Sequence, residues 1–103
     1  GIKGRSSDYL ISPDGGVLVG IDHLPRGLID VVRMQVRQPS ATEVDILVVT
    51  TDGALTEADR ATLDASIGRK LPPSMAVRVE AVDELPRTAA GKTPFVVRAS
   101  ELG

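Results

Sequence analysis

The chain has 103 residues, enough for one domain with one modest core, and its 42% hydrophobic and 25% charged content is that of a globular protein. A net charge of -2 does not favour non-specific nucleic-acid binding. The lack of cysteine excludes disulfides, thiolate metal sites and cysteine nucleophiles, and a single histidine excludes a multi-histidine metal centre.

With 2% aromatic residues and no tryptophan, the core must come from Val, Leu, Ile and Ala. The opening segment, with Gly4, Ser6 and Ser7, is polar and reads as a linker. Tyr9 to Ser12 is a short extended run. Pro13-Asp14-Gly15-Gly16 is turn chemistry, and Val17-Leu18-Val19 returns, so the pair predicts a small hairpin. Between Asp22 and Val32 the pattern is ambiguous. Asp22 can cap a short helix with Pro25 in its first turn and Leu24, Leu28 and Val31 on one face, but Gly27 counts against it. His23, at the start of that segment, has no surrounding nucleophile pattern and reads as a surface or capping residue.

Val32 to Gln38 alternates, with Val32, Met34 and Val36 on one side and Arg33, Gln35 and Arg37 on the other, as a half-buried strand does. Pro39 to Thr42 turns the chain. Val44 to Thr51 is apolar on both faces, which predicts a central strand. Thr56 to Leu71 predicts a helix. Thr56 is its N-cap, Glu57 and Asp59 face the positive end of the dipole, Leu63, Ile67 and Leu71 form the buried stripe, and Arg69 and Lys70 lie at the far end. Pro72-Pro73 ends it. Ala76 to Val82 predicts a third sheet strand with Val77, Val79 and Ala81 facing inward. The expected fold is α+β: a small N-terminal β-hairpin, then a three-stranded sheet with helices packed on one face.

The segment Leu85-Pro86-Arg87-Thr88-Ala89-Ala90-Gly91-Lys92 carries the strongest functional signal. Pro86 stiffens its entry, Thr88 can bond backbone in the turn, and Gly91 lets the chain reverse, so the loop presents Lys92 in a defined place. A phosphate-binding P-loop needs glycine where Pro86 stands, and Pro94 interrupts the helix that would follow, so that reading is rejected. A solvated lysine in an ordinary loop is the bland alternative.

This L-P-R-T-x-x-G-K sequence resembles the last core motif of the adenylate-forming ligases, the superfamily of acyl-CoA synthetases and adenylation domains. At the other end, Gly4-Arg5-Ser6-Ser7-Asp8-Tyr9-Leu10-Ile11 resembles the hinge motif G-R-x-D-D-x-I of the same superfamily. The two motifs bracket the small C-terminal domain there, as they do here. Pro13-Asp14-Gly15 and Asp22-His23-Leu24 add similarity to the phenylacetate–CoA ligase-like branch, which includes capsule-polysaccharide synthetase-like proteins.

The resemblance implies that residues 1–8 are a hinge from a missing N-terminal domain and that 9–103 form a mobile C-terminal domain. It implies that Lys92 is catalytic, contacting the substrate carboxylate and the α-phosphate side of ATP, and that Arg5 and Gly91 lie near the nucleotide. Ser7 and Asp8 would form the hinge, with Ser7 where the family usually has its pivot aspartate. The N-terminal hairpin would face the active site while the thioester is made. The tail departs from the family's G-K-x-x-R-x-x-L, with Arg98 expected to take the basic role in a displaced position. ATP and CoA, with Mg, would be bound mainly by the N-terminal adenylation domain, the chief partner, and the substrate would be a carboxylic acid of aryl or arylalkyl type. The fragment alone would be inactive.

The competing reading is a non-catalytic α+β module. It would either bind an anion through Arg33, Arg37 and Arg78 or pair a sheet edge into a homodimer. No apolar run approaches the ~20 residues of a membrane span and no signal-peptide core is present, so a cytoplasmic location, with neither nucleic-acid nor membrane partners, is the default expectation.

Overall fold

A computed structural model describes residues 9–87, 91 and 94–98. In chain order the elements are β1 (Leu10–Ile11), β2 (Val17–Leu18), a 3₁₀ turn (Ile21–His23), β3 (Val31–Ser40), β4 (Glu43–Thr50), α1 (Glu57–Lys70), β5 (Ala76–Ala81) and β6 (Val96–Arg98). The fold is α+β, a two-stranded hairpin beside a mixed sheet.

That sheet has four strands in the order β5-β4-β3-β6, one more than the sequence pattern predicts. The addition is β6, only three residues long, which pairs parallel to β3 with Val36 opposite Val96. So short a run carries too little alternation to read as a strand. β3 and β4 are antiparallel, β4 and β5 parallel, so β4 is central as its two apolar faces predict. The ambiguous segment after β2 resolves into the 3₁₀ turn, with Leu24 fully buried behind it and no α-helix.

Inside, Met34, Val36, Val44, Ile46, Val48 and Val96 from the sheet meet Leu10 of the hairpin, Ile21 and Leu24 of the 3₁₀ region, and Leu63 and Leu71 of the helix. Each fully buried aliphatic side chain among them is worth about 1.5–3 kcal/mol relative to exposure. Helix α1 starts as the sequence predicts. The Thr56 hydroxyl accepts from the Asp59 N–H at 3.1 Å, and the helix ends at Lys70 with Leu71 as its C-cap. Asp59 does more than face the dipole. Its buried carboxylate accepts the N–H groups of Ile29 (3.0 Å) and Asp30 (2.8 Å), tying the first turn of α1 to the chain entering β3.

β3 departs from simple alternation in two places. A register shift between Val31 and Arg33 leaves Val32 58% exposed, although the alternation places it inside. Gln35, read as facing solvent, is 1% exposed.

Candidate functional site

Gln35 alternates with the core residues Met34 and Val36, so it points to the opposite face of the sheet, opposite Leu47 of β4. That face is covered by the segment that leaves β5. The Gln35 side-chain Nε2 donates to the carbonyl of Pro86 at 3.3 Å and to that of Pro94 at 3.0 Å. Seven residues, 87–93, lie between those two prolines, and the motif lysine is among them. Leu85, next to Pro86, is buried, as are Leu47 and Val97, and all three lie outside the main core cluster. At the far side of the loop the Phe95 carbonyl accepts from the Val36 N–H at 2.7 Å, and β6 begins at the next residue.

Within the loop, Gly91 has φ +78°, a left-handed conformation that glycine adopts without the Cβ penalty, and its carbonyl accepts from Arg87 Nη1 at 3.3 Å. The positive φ is of the kind for which the sequence reading singled out Gly91, and the residues on either side of it, 88–90 and 92–93, lie outside the described ones. Among the described residues an added Cβ at Gly91 would meet nothing within 4 Å, so what calls for glycine there is the positive φ. The other site residues read from the sequence, Lys92, Arg5, Ser7 and Asp8, lie outside the described residues.

The domain's entry is fixed by a second glutamine. Gln38 Oε1 accepts from the Ile11 N–H at 2.8 Å and its Nε2 donates to the Ile11 carbonyl at 2.6 Å, so one amide imitates a strand partner for β1. Beside it, the Arg98 guanidinium stacks over the Tyr9 ring, 4.2 Å from the centroid, and Nη1 donates to the Tyr9 carbonyl at 3.1 Å. Arg98, expected from the resemblance to take a displaced basic role, is thus engaged with Tyr9. Sequence reasoning missed Gln35 and Gln38 because both sit in an alternating strand as apparently outward or terminal polar residues. The one signal at Gln35 is an uncharged amide where Arg33 and Arg37 otherwise alternate, and at Gln38 it is a polar residue in phase with Met34 and Val36.

The hairpin turn behaves as its residues dictate. Asp14 Oδ1 accepts from the Gly16 N–H at 3.0 Å, and this bond, helped by Ser12, holds the Asp14 carboxyl below its ordinary pKa. His23 lies at the end of the 3₁₀ turn with its Nε2 3.9 Å from Asp22 and both side chains well exposed. Of the three arginines considered for anion binding, Arg78 donates to Asp45 at 3.0 Å, and that bond is the main cause of its raised pKa. The groove of about 440 Å³ beside it is lined by Asp45, Arg60, Arg78 and Glu80 with Leu47, Val77 and Val79, a mixed-sign surface on the β5 edge. Such a lining does not fit a nucleotide triphosphate, which calls for convergent N–H donors and unopposed positive charge. Among the described residues there is no group of three or more His, Asp or Glu able to hold a metal ion, and no helix long and apolar enough to cross a membrane.

A family model described as the CapK C-terminal domain matches residues 10–99. No curated protein matches the chain.

Proposed function

Because the chain belongs to the CapK C-terminal domain family, we propose that it is the C-terminal lid of an ATP-dependent carboxylate–CoA ligase of the adenylate-forming type. In this reading Lys92 is the adenylation lysine. The observation that carries the proposal is the paired anchoring of the lysine-bearing segment, with Pro86 and Pro94 on either side of it bonded to one buried side chain. A solvated surface lysine has no need of such a stem.

The chemistry is carboxylate activation. The carboxylate oxygen attacks the α-phosphorus of ATP, the bond to the bridging oxygen breaks, and pyrophosphate leaves with its electron pair, giving an acyl-adenylate. Negative charge crowds the centre, and a positioned ammonium stabilises it more in the transition state than in the ground state. Lysine suits the task as a compact charge on a long flexible stem. The lid then turns about the segment containing Ser7 and Asp8, withdraws Lys92, and a thiol, CoA, displaces AMP from the acyl group. ATP, CoA and the acid are substrates held mainly by a preceding adenylation domain, in keeping with the mixed-sign groove found here. The branch similarity favours an aryl or arylalkyl acid.

The test is ATP–pyrophosphate exchange by the full-length protein over a panel of aryl, arylalkyl and aliphatic acids, wild type against Lys92→Ala. The expected result is a loss of about 100-fold or more in exchange, with thioester formation from supplied acyl-adenylate retained. Exchange unchanged in Lys92→Ala overturns the assignment.

A further inference from the structure

We propose that Gln35 is a positioning residue for adenylation: its side-chain amide closes the stem of the lysine loop and thereby sets where Lys92 is delivered. The inference rests on the ligase reading above and adds to it a residue on a different element, more than 50 positions away in sequence from both of its partners.

Three observations carry it. First, both N–H bonds of the amide are spent on the loop, one on each side of residues 87–93. Second, the stem cannot close itself at these positions. Proline has no N–H, so Pro86 and Pro94 each present a carbonyl and neither can donate to the other. An external donor with two hydrogens in one plane is needed, and a primary amide is that group. Both partners are acceptors, which also fixes the amide's orientation, with nitrogen toward the loop. Third, among the described residues the other end of the amide has no hydrogen-bond partner: Gln35 Oε1 is buried without one, a condition that is destabilising. A methionine or leucine there would avoid that cost, so stability alone does not account for the residue. Its donors do.

The consequence for chemistry follows from chain connectivity. Lys92 is two residues before Pro94, so the anchor at Pro94 limits how far the ammonium can lie from it. Productive contact tolerates little error, and misplacing a group by about 1 Å can cost on the order of 100-fold in rate.

The experiment uses the full-length protein and the acid that best supports exchange, with Gln35→Met, Gln35→Asn and Lys92→Ala measured side by side. Gln35→Met keeps the volume and removes both donors. We expect its kcat for adenylation to fall about 10- to 100-fold, with KM for ATP and acid changed less than about threefold and thioester formation from supplied acyl-adenylate within about twofold of wild type. Gln35→Asn, which keeps the amide but withdraws it by one methylene, should lie between. It carries the test by itself if Gln35→Met does not fold. If the Gln35 variants adenylate within twofold of wild type while Lys92→Ala collapses, positioning by Gln35 is overturned and the ligase reading stands. If both half-reactions fall together in the Gln35 variants, the residue is merely structural and the proposal is again overturned. Unchanged exchange in Lys92→Ala removes both.

Discussion

Replacing Asp59 tests the tie between helix and sheet most directly. In Asp59→Ala the N–H groups of Ile29 and Asp30 lose a charged acceptor at 3.0 and 2.8 Å. Hydrogen bonds to charged groups are worth about 1.5–3 kcal/mol each. Ile29 is largely exposed and Asp30 half-buried, so water can re-bond their freed N–H groups and the lower end applies, giving about 3 kcal/mol for the pair. With a urea m-value of about 1.5 kcal/mol/M for a domain of this size, the unfolding midpoint should fall by about 2 M. Asp59→Asn keeps one acceptor but turns an NH₂ toward the second N–H, so it should lose about half as much. Equilibrium urea unfolding followed by circular dichroism measures both, and amide exchange at Ile29 and Asp30 should quicken. A midpoint shift below about 0.5 M in Asp59→Ala would refute the reasoning, since it would mean that the two bonds exchange for water at no cost.

Leu63, fully buried in the centre of α1, should cost about 2–5 kcal/mol as Leu63→Ala, lowering Tm by more than about 10 °C. Gln38→Met removes both bonds to Ile11 and should destabilise by about 1–3 kcal/mol, with faster exchange of the Ile11 amide and no change within α1. The Asp14 carboxyl should titrate below its ordinary value by carboxyl NMR. Its folded pKa lies below the unfolded one, so its support of the hairpin is present above the unfolded value and is lost as pH falls through the folded one, and Asp14→Asn should abolish that dependence.

What the sequence makes legible here depends on how many residues carry each signal. Helix α1 is readable in full because the cap at Thr56, the stripe of Leu63 and Leu71, the terminal cations and Pro72 all agree. β4 is recognisable as central from its two apolar faces. β6 is not legible, because three residues give no period and its partner is 60 positions away. The side-chain anchors are hidden for a different reason. Alternation tells which face Gln35 occupies, but nothing local to β3 says that Pro86 and Pro94 will cross that face and exclude water from it. Asp59 likewise has the residue type expected of a helix start, and only the tertiary approach of Ile29 and Asp30 turns it into a buried tie. At the site, the loop motif and the need for glycine at position 91 are readable from local chemistry, while the group that holds the loop stem is not.

The two glutamines of β3 are three residues apart, one holding the entry of the chain and the other the stem of the lysine loop. At about 3.3 Å per residue they are separated by about 10 Å of a single extended strand, paired on both sides and so resistant to bending. The stretch of β3 from Gln35 to Gln38 is thus a short crank with a clamp at each end. A 10° turn applied at the Tyr9 end would carry the loop stem through about 2 Å, a displacement comparable to the tolerance of the chemistry. Small angular play at the entrance would decide whether the lysine arrives, and the stiffness of one strand would set how faithfully that angle is transmitted.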